Sequence, residues 1–177
     1  MKKMQINAKR LGTIAHYSGV LAEYVVVILL SIWLDNVLKF PTLFSFPFSA
    51  FGFALAAFGL FLIVRCTWLQ FKAGQGTTGF SEPTKKLVTS GPYGIVRNPM
   101  MWGQFLFFAG LAFLLDLAAM FLILPVLVSA IHTFTVIVEE PNLRSRFGQE
   151  WVDYAKRVPR WLPKLGRTQS DKSARQS

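Results

Sequence analysis

Met100-Met101-Trp102-Gly103-Gln104 opens a 39-residue apolar run that passes through Leu115-Asp116-Leu117 and closes at Val138-Glu139-Glu140-Pro141. A hydrocarbon core about 30 Å thick takes roughly 20 apolar residues per helix, so the run is about twice one span. Its reading is a helical hairpin folded at Asp116, with 100–115 as one arm and 117–138 as the other. Both ends then lie on one side of a membrane. One end carries Arg97-Asn98-Pro99 and the other a pair of carboxylates.

Working outward, two more apolar segments come earlier, at about 17–38 and 46–69. The chain of 177 residues is 53% hydrophobic and 16% charged, a composition that excludes an ordinary soluble domain. The expected fold is all-α and polytopic, with about four transmembrane helices and a cytoplasmic amphipathic segment at 141–163. Residues 1–163 read as a single membrane-embedded domain and 164–177 as a disordered tail.

The basic residues orient the chain. Eighteen of the 19 Lys and Arg fall before the first span, at or between the facing ends of the second and third, or after the fourth, leaving Lys39 on the other side. Both termini are therefore expected in the cytoplasm, in the inner membrane if the source is bacterial. The first apolar segment is too long for a signal-peptide core and reads as a retained anchor. The net charge of +10 is spread over loops that flank apolar spans, which indicates topology and anionic headgroups, not nucleic acid. Cys66 is the single cysteine, so neither an intramolecular disulfide nor a multi-cysteine metal site is available.

Several polar residues demand a reason. A carboxylate pair ending a helix opposes the macrodipole, so Glu139 and Glu140 either meet a cation or sit at a solvated helix end. His132, seven residues earlier, falls on the same helical face as Glu139 and reads equally as a packing residue or a site residue. Glu23 either snorkels, the favoured reading, or faces the same cavity. Asp116 needs no role beyond its turn.

In the connector, Gly91-Pro92 and Tyr93-Gly94 read as tight turns, and Asn98-Pro99 as a helix start with Asn as cap. Leu143, Phe147, Trp151 and Tyr154 recur at helical spacing, interrupted at Gly148 and stopped by Pro159. That segment is an interfacial helix or a lid over the cytoplasmic mouth of the hairpin, with Arg157 and Arg160 available to an anion.

Leu87-Val88-Thr89-Ser90-Gly91-Pro92-Tyr93, Val96-Arg97-Asn98-Pro99-Met100, Glu139-Glu140, Phe147-Gly148, Tyr154 and Val158-Pro159-Arg160-Trp161-Leu162-Pro163 together carry a resemblance. Over roughly 74–163 the chain resembles the isoprenylcysteine carboxyl methyltransferase and phospholipid methyltransferase superfamily; the first two spans match by hydropathy alone. The resemblance implies an integral membrane enzyme that uses S-adenosyl-L-methionine. Carried over by motif, Tyr93, Arg97, Asn98, Glu139 and Glu140 are its cofactor-binding candidates. Glu140, Tyr154, Arg157 and Arg160 are the catalytic candidates, the last three on the acceptor side. Two positions depart from the pattern. Asn98 stands where many members have His, and Met101 where many have Tyr.

The expected reaction is methyl transfer to a lipophilic or lipid-linked acceptor among membrane lipids, at a carboxylate oxygen or an amine. A carboxylate needs only positioning, by Arg157 or Arg160. An amine needs a base, for which Glu139 or Glu140 is nearest. The rival readings are a membrane reductase using a nicotinamide cofactor and a non-enzymatic membrane assembly partner.

Overall fold

The computed structural model describes residues 2–76 and 83–164, with side chains from residue 11 onward. The tail expected at 164–177 lies outside the described residues except for Lys164. Among the described residues there is no β-strand, and the fold is all-α. The helices are α1 (Lys2–Leu38), α2 (Phe48–Lys72), α3 (Pro99–Leu114), α4 (Met120–Phe134), α5 (Glu140–Phe147) and α6 (Gln149–Arg157). A 3-10 turn covers Gly91–Gly94, and a π-helical turn at Thr135–Glu139 joins α4 to α5.

Three stretches are long and apolar enough to cross a membrane: Leu11–Leu38, Phe48–Lys72 and Met120–Phe147. The fourth apolar helix, α3, has 16 residues, about 24 Å at 1.5 Å per residue. It lies along α2 at very close range. A Cβ on Gly59 would sit 2.4 Å from the Phe107 nitrogen, and one on Gly110 would sit 2.3 Å from the Ala56 nitrogen. Gly52, Ala56 and Gly59 thus meet Gly103 and Gly110 backbone to backbone. Lipid tails are as apolar as Leu, so this dense packing, not a hydrophobic driving force, joins two helices in a bilayer. Outward-facing Phe53, Phe61, Leu21, Val26 and Val126 are exposed and form the apolar exterior that lipid covers.

At the end of the bundle away from the connector, two carboxylates hold the turns. Asp116, in the left-handed region at φ 54°, accepts from the backbone N–H of Leu43 at 3.0 Å and of Phe44 at 2.9 Å. Asp35 accepts from the Ala119 N–H at 2.8 Å. Asp116 is thus more than a turn residue: it ties the α1–α2 loop to the hairpin, and Phe44, Phe113 and Phe121 pack beside it.

The last apolar helix departs from expectation. It does not end at the carboxylate pair but continues to Phe147. Pro141 has no N–H to donate, and its ring would collide with the carbonyl four residues back. The chain instead widens by one residue, the Glu140 N–H reaching Thr135 O, and helix resumes beyond. Glu139 and Glu140 are therefore mid-helix residues and do not face a terminal dipole. The widened turn also breaks the seven-residue register, so His132 and Glu139 no longer share a face. His132 is exposed, and its Nδ1 accepts from Trp161 Nε1 at 3.0 Å.

Candidate functional site

A cavity of about 650 Å³ lies where the connector, α3, the α4–α5 helix and α6 converge. Its size falls in the range of small-molecule and cofactor sites. The connector reaches it because Gly91, at φ 61°, lets the chain turn into the 3-10 segment that buries Tyr93. The Tyr93 hydroxyl accepts from Gln70 Nε2 at 2.6 Å, fixing the connector to α2.

Asn98 occupies the N-cap position of α3, but its side chain makes no capping hydrogen bond. Its Nδ2 is buried without a partner on the cavity wall. The expectation of a capping Asn is thus corrected: its amide is directed to other use. Arg97, also on the wall, has a buried Nε with no partner.

The adjacent carboxylates part company because neighbouring helical residues point about 100° apart. Glu139 lines the cavity, with the Thr135 hydroxyl 3.4 Å from its Oε2. Glu140 lies outside that wall, in an ion-pair cluster. Arg160 donates to it twice, Nε to Oε1 and Nη2 to Oε2, each at 2.7 Å, and Arg97 Nη1 stands 3.1 Å from Oε1. The two cations answer the sequence question of what meets the pair, but they meet one member only.

The C-terminal segment is folded over this end as a lid. The Tyr154 hydroxyl donates to Tyr93 O at 2.8 Å, and the Arg97 N–H donates to Pro159 O at 2.8 Å. Trp102 Nε1 donates to Trp161 O at 2.8 Å, and the Arg97 guanidinium stands 5.4 Å from the Trp151 ring centroid. Gly148, at φ 54°, supplies the break between α5 and α6 that turns the lid back. Helix α6 is amphipathic: Trp151 and Tyr154 are buried, Asp153, Lys156 and Arg157 exposed.

Burial pushes the Tyr93 and Tyr154 phenols well above the usual tyrosine range, in the latter despite the opposing pull of Arg97. Both remain protonated near neutral pH and serve as hydrogen-bonding groups, not bases. Burial lowers the Arg97 guanidinium from its ordinary value, partly countered by Glu140. The hydrogen bond to Glu140 raises that of Arg160.

Of the sequence candidates, Tyr93, Arg97, Asn98, Glu139 and Tyr154 line the cavity. Glu140, Arg157 and Arg160 do not. Arg160 is engaged by Glu140, and Arg157 is exposed with its Nε donating to Asp153 O at 3.2 Å. Met101, at the second position of departure, is a wall residue. Glu23, read as snorkelling, also borders the cavity. Gln70, Thr84, Gln104, Phe134, Thr135, Asn142 and Arg146 also line it without a sequence expectation, and Trp151, read from sequence as part of the amphipathic segment alone, is a wall residue as well. Gln70 and Gln104 had a signal, as uncharged polar side chains within apolar spans. Arg146 gave none; it donates to Thr84 O from a helix that sequence placed beyond the span.

A model of the phospholipid methyltransferase family matches residues 48–150, from α2 through α5 into α6. The chain belongs to the phospholipid methyltransferase family. The matched region contains the cavity walls built by α2, the connector, α3 and the α4–α5 helix, whereas α1 and the chain from Trp151 onward, with the wall residues Glu23, Trp151 and Tyr154, lie outside it. The chain is also 33% identical over 86 residues to the nickel-cobalt-cadmium resistance protein NccN of Alcaligenes xylosoxydans xylosoxydans. That match covers 49% of this chain and 40% of the relative's length. No solved structure matches the chain. Membership in the family and three span-length apolar helices make this a membrane protein of a methyltransferase family.

Proposed function

We propose that the chain is an integral membrane methyltransferase that uses S-adenosyl-L-methionine and acts on a lipophilic or lipid-linked acceptor. The observation that carries the reading is the pairing, on one cavity, of a buried amide donor without a partner, Asn98 Nδ2, and a carboxylate, Glu139. A zwitterionic sulfonium amino acid needs both. A buried donor without an acceptor costs about 1–3 kcal/mol, so a ligand carboxylate at Asn98 and Arg97 would relieve a standing penalty. Glu139 faces the same space as a counter-charge for a cation or as an acceptor for hydroxyl and amino groups. Asn98 serves here without the proton chemistry of a His, because donation alone is required.

When bound, S-adenosyl-L-methionine supplies an electrophilic methyl group on sulfur. The residues of the chain contribute alignment and exclusion of water. The lid contacts of Tyr154, Pro159 and Trp161 close the connector end of the cavity, and a positioned pair of reactants reacts far faster than a free one. Between the two acceptor classes, an amine fits better. Arg157 and Arg160 do not line the cavity, and of the two arginines that do, Arg97 is assigned here to the cofactor carboxylate and Arg146 donates to Thr84 O, while Glu23 and Glu139 border the same space. Glu139 is then the base that takes the amine proton.

Equilibrium binding of labelled S-adenosyl-L-methionine and of NADPH to the detergent-purified chain tests the reading. Binding of the first alone is expected, weakened roughly tenfold or more in Glu139→Gln and in Asn98→Ala, as for a lost hydrogen bond to a charged group. Binding of NADPH alone would replace this reading with a reductase. Binding of neither would leave a membrane partner protein.

A further inference from the structure

Beside Arg97 and Trp151, residues of α5, α6 and the π-helical turn border a second, open cleft of about 450 Å³. Arg97 lines both spaces. Arg97, Arg144 and Lys156 set three cations around the cleft against one carboxylate, Glu140, which Arg97 shares with Arg160. Arg144 has no ion-pair partner among the described residues. Lys156 has only an exposed contact of 3.7 Å with Asp153. The cleft is thus left with uncompensated positive charge.

Its remaining wall is apolar, including Val136 and Val152. Val136 belongs to the π-helical turn that continues the apolar surface of α4, where Ile137 is 66% exposed and Val138 lies beside it, also exposed. A wholly aqueous ion gains nothing from such a wall. A phosphate borne on an apolar body gains from both parts, its charge among Arg144, Lys156 and Arg97 and its chains along α4. We infer that the α5–α6 cleft is a binding site for a phosphate group, carried by an anionic phospholipid, distinct from the reaction cavity and touching it through Arg97. The inference goes beyond the methyltransferase reading and does not depend on it, since the ligand is held and not transformed.

Native mass spectrometry of the full chain in detergent, titrated with phosphatidylglycerol and with phosphatidylcholine of the same acyl chains, tests it. One phosphatidylglycerol is expected to be retained at least about fivefold more tightly than phosphatidylcholine. Arg144→Gln with Lys156→Gln should weaken that retention about tenfold or more, as for lost charged hydrogen bonds. Both side chains are exposed, and the single Arg144→Gln change provides a milder second variant. Arg65→Gln with Lys72→Gln, which removes two cations flanking Trp68 on α2, should leave retention unchanged. Competition by millimolar inorganic phosphate would assign the site to the phosphate itself. Its failure to compete, with the variant effect intact, would assign it to the membrane-borne diester. Equal retention of the two lipids, an unaffected double variant, or an equal loss in the α2 control would each overturn the inference.

Discussion

Replacing Glu140 by Gln should loosen the lid while leaving the walls of the main cavity in place. The carboxylate holds Arg160 through two contacts of 2.7 Å and Arg97 through one of 3.1 Å, joining lid and connector through one side chain. The Glu140 and Arg97 side chains are 15% and 12% exposed, and Arg160 is 30% exposed. Removing one member of a buried pair costs about 3–5 kcal/mol, because a charge is left without its partner. Arg160 can recover part of that in water, so the lower end applies, about 3 kcal/mol. That is on the order of a hundredfold in the equilibrium for undocking α6. With nine residues, α6 is too short to stay helical once undocked, so its amides should then exchange freely. Hydrogen–deuterium exchange over 149–161 in detergent should therefore accelerate by about two orders of magnitude in Glu140→Gln. Arg160→Gln should do nearly the same, and the double variant should add little, because both remove one interaction. Glu139→Gln should leave lid exchange unchanged while weakening cofactor binding. Unaltered exchange in Glu140→Gln, or additive effects in the double variant, would refute the role of Glu140 in joining lid and connector.

Arg160→Lys should destabilise lid docking by roughly 1–2 kcal/mol, because an ammonium cannot reproduce the two-point contact; Arg157→Lys should match wild type in the same exchange measurement. Gly59→Val should reduce folded yield and thermal stability in detergent severely, since its Cβ would meet backbone atoms of Phe107 and Gly103 that cannot move aside. Gly19→Ala, where a Cβ meets nothing, should be neutral. Reporters that signal only on export should stay dark at residue 177 and signal near Asp116; the reverse pattern would overturn the orientation drawn from basic residues.

Much of the architecture was legible from composition and run length. A 39-residue apolar run interrupted by one Asp folds as a hairpin because a single span uses only about half of it, and the turn does fall at Asp116. Gly148 and Pro159 likewise act locally: one supplies a left-handed break and the other has no N–H to continue a helix. The family resemblance rested on motifs of the same local kind, and the family match covers the region that contains most of them.

What sequence could not decide was which way each polar side chain faced, because that depends on phase and partner. A single π turn before Pro141 separated Glu139 from His132 and carried the helix past its expected end. Glu140 and Arg160 are 20 residues apart, and only the folding back of the lid made them an ion pair. Asn98 looked like a cap from its neighbour Pro99, yet its amide faces the cavity. Helices and turns follow from interactions within a few residues of chain, whereas the site follows from the packing of segments distant in sequence. The amino-acid sequence by itself determined the membrane helices, their turns and the kinds of residue at the charged end. The tertiary structure alone determined which of those residues share the cavity and which hold the lid.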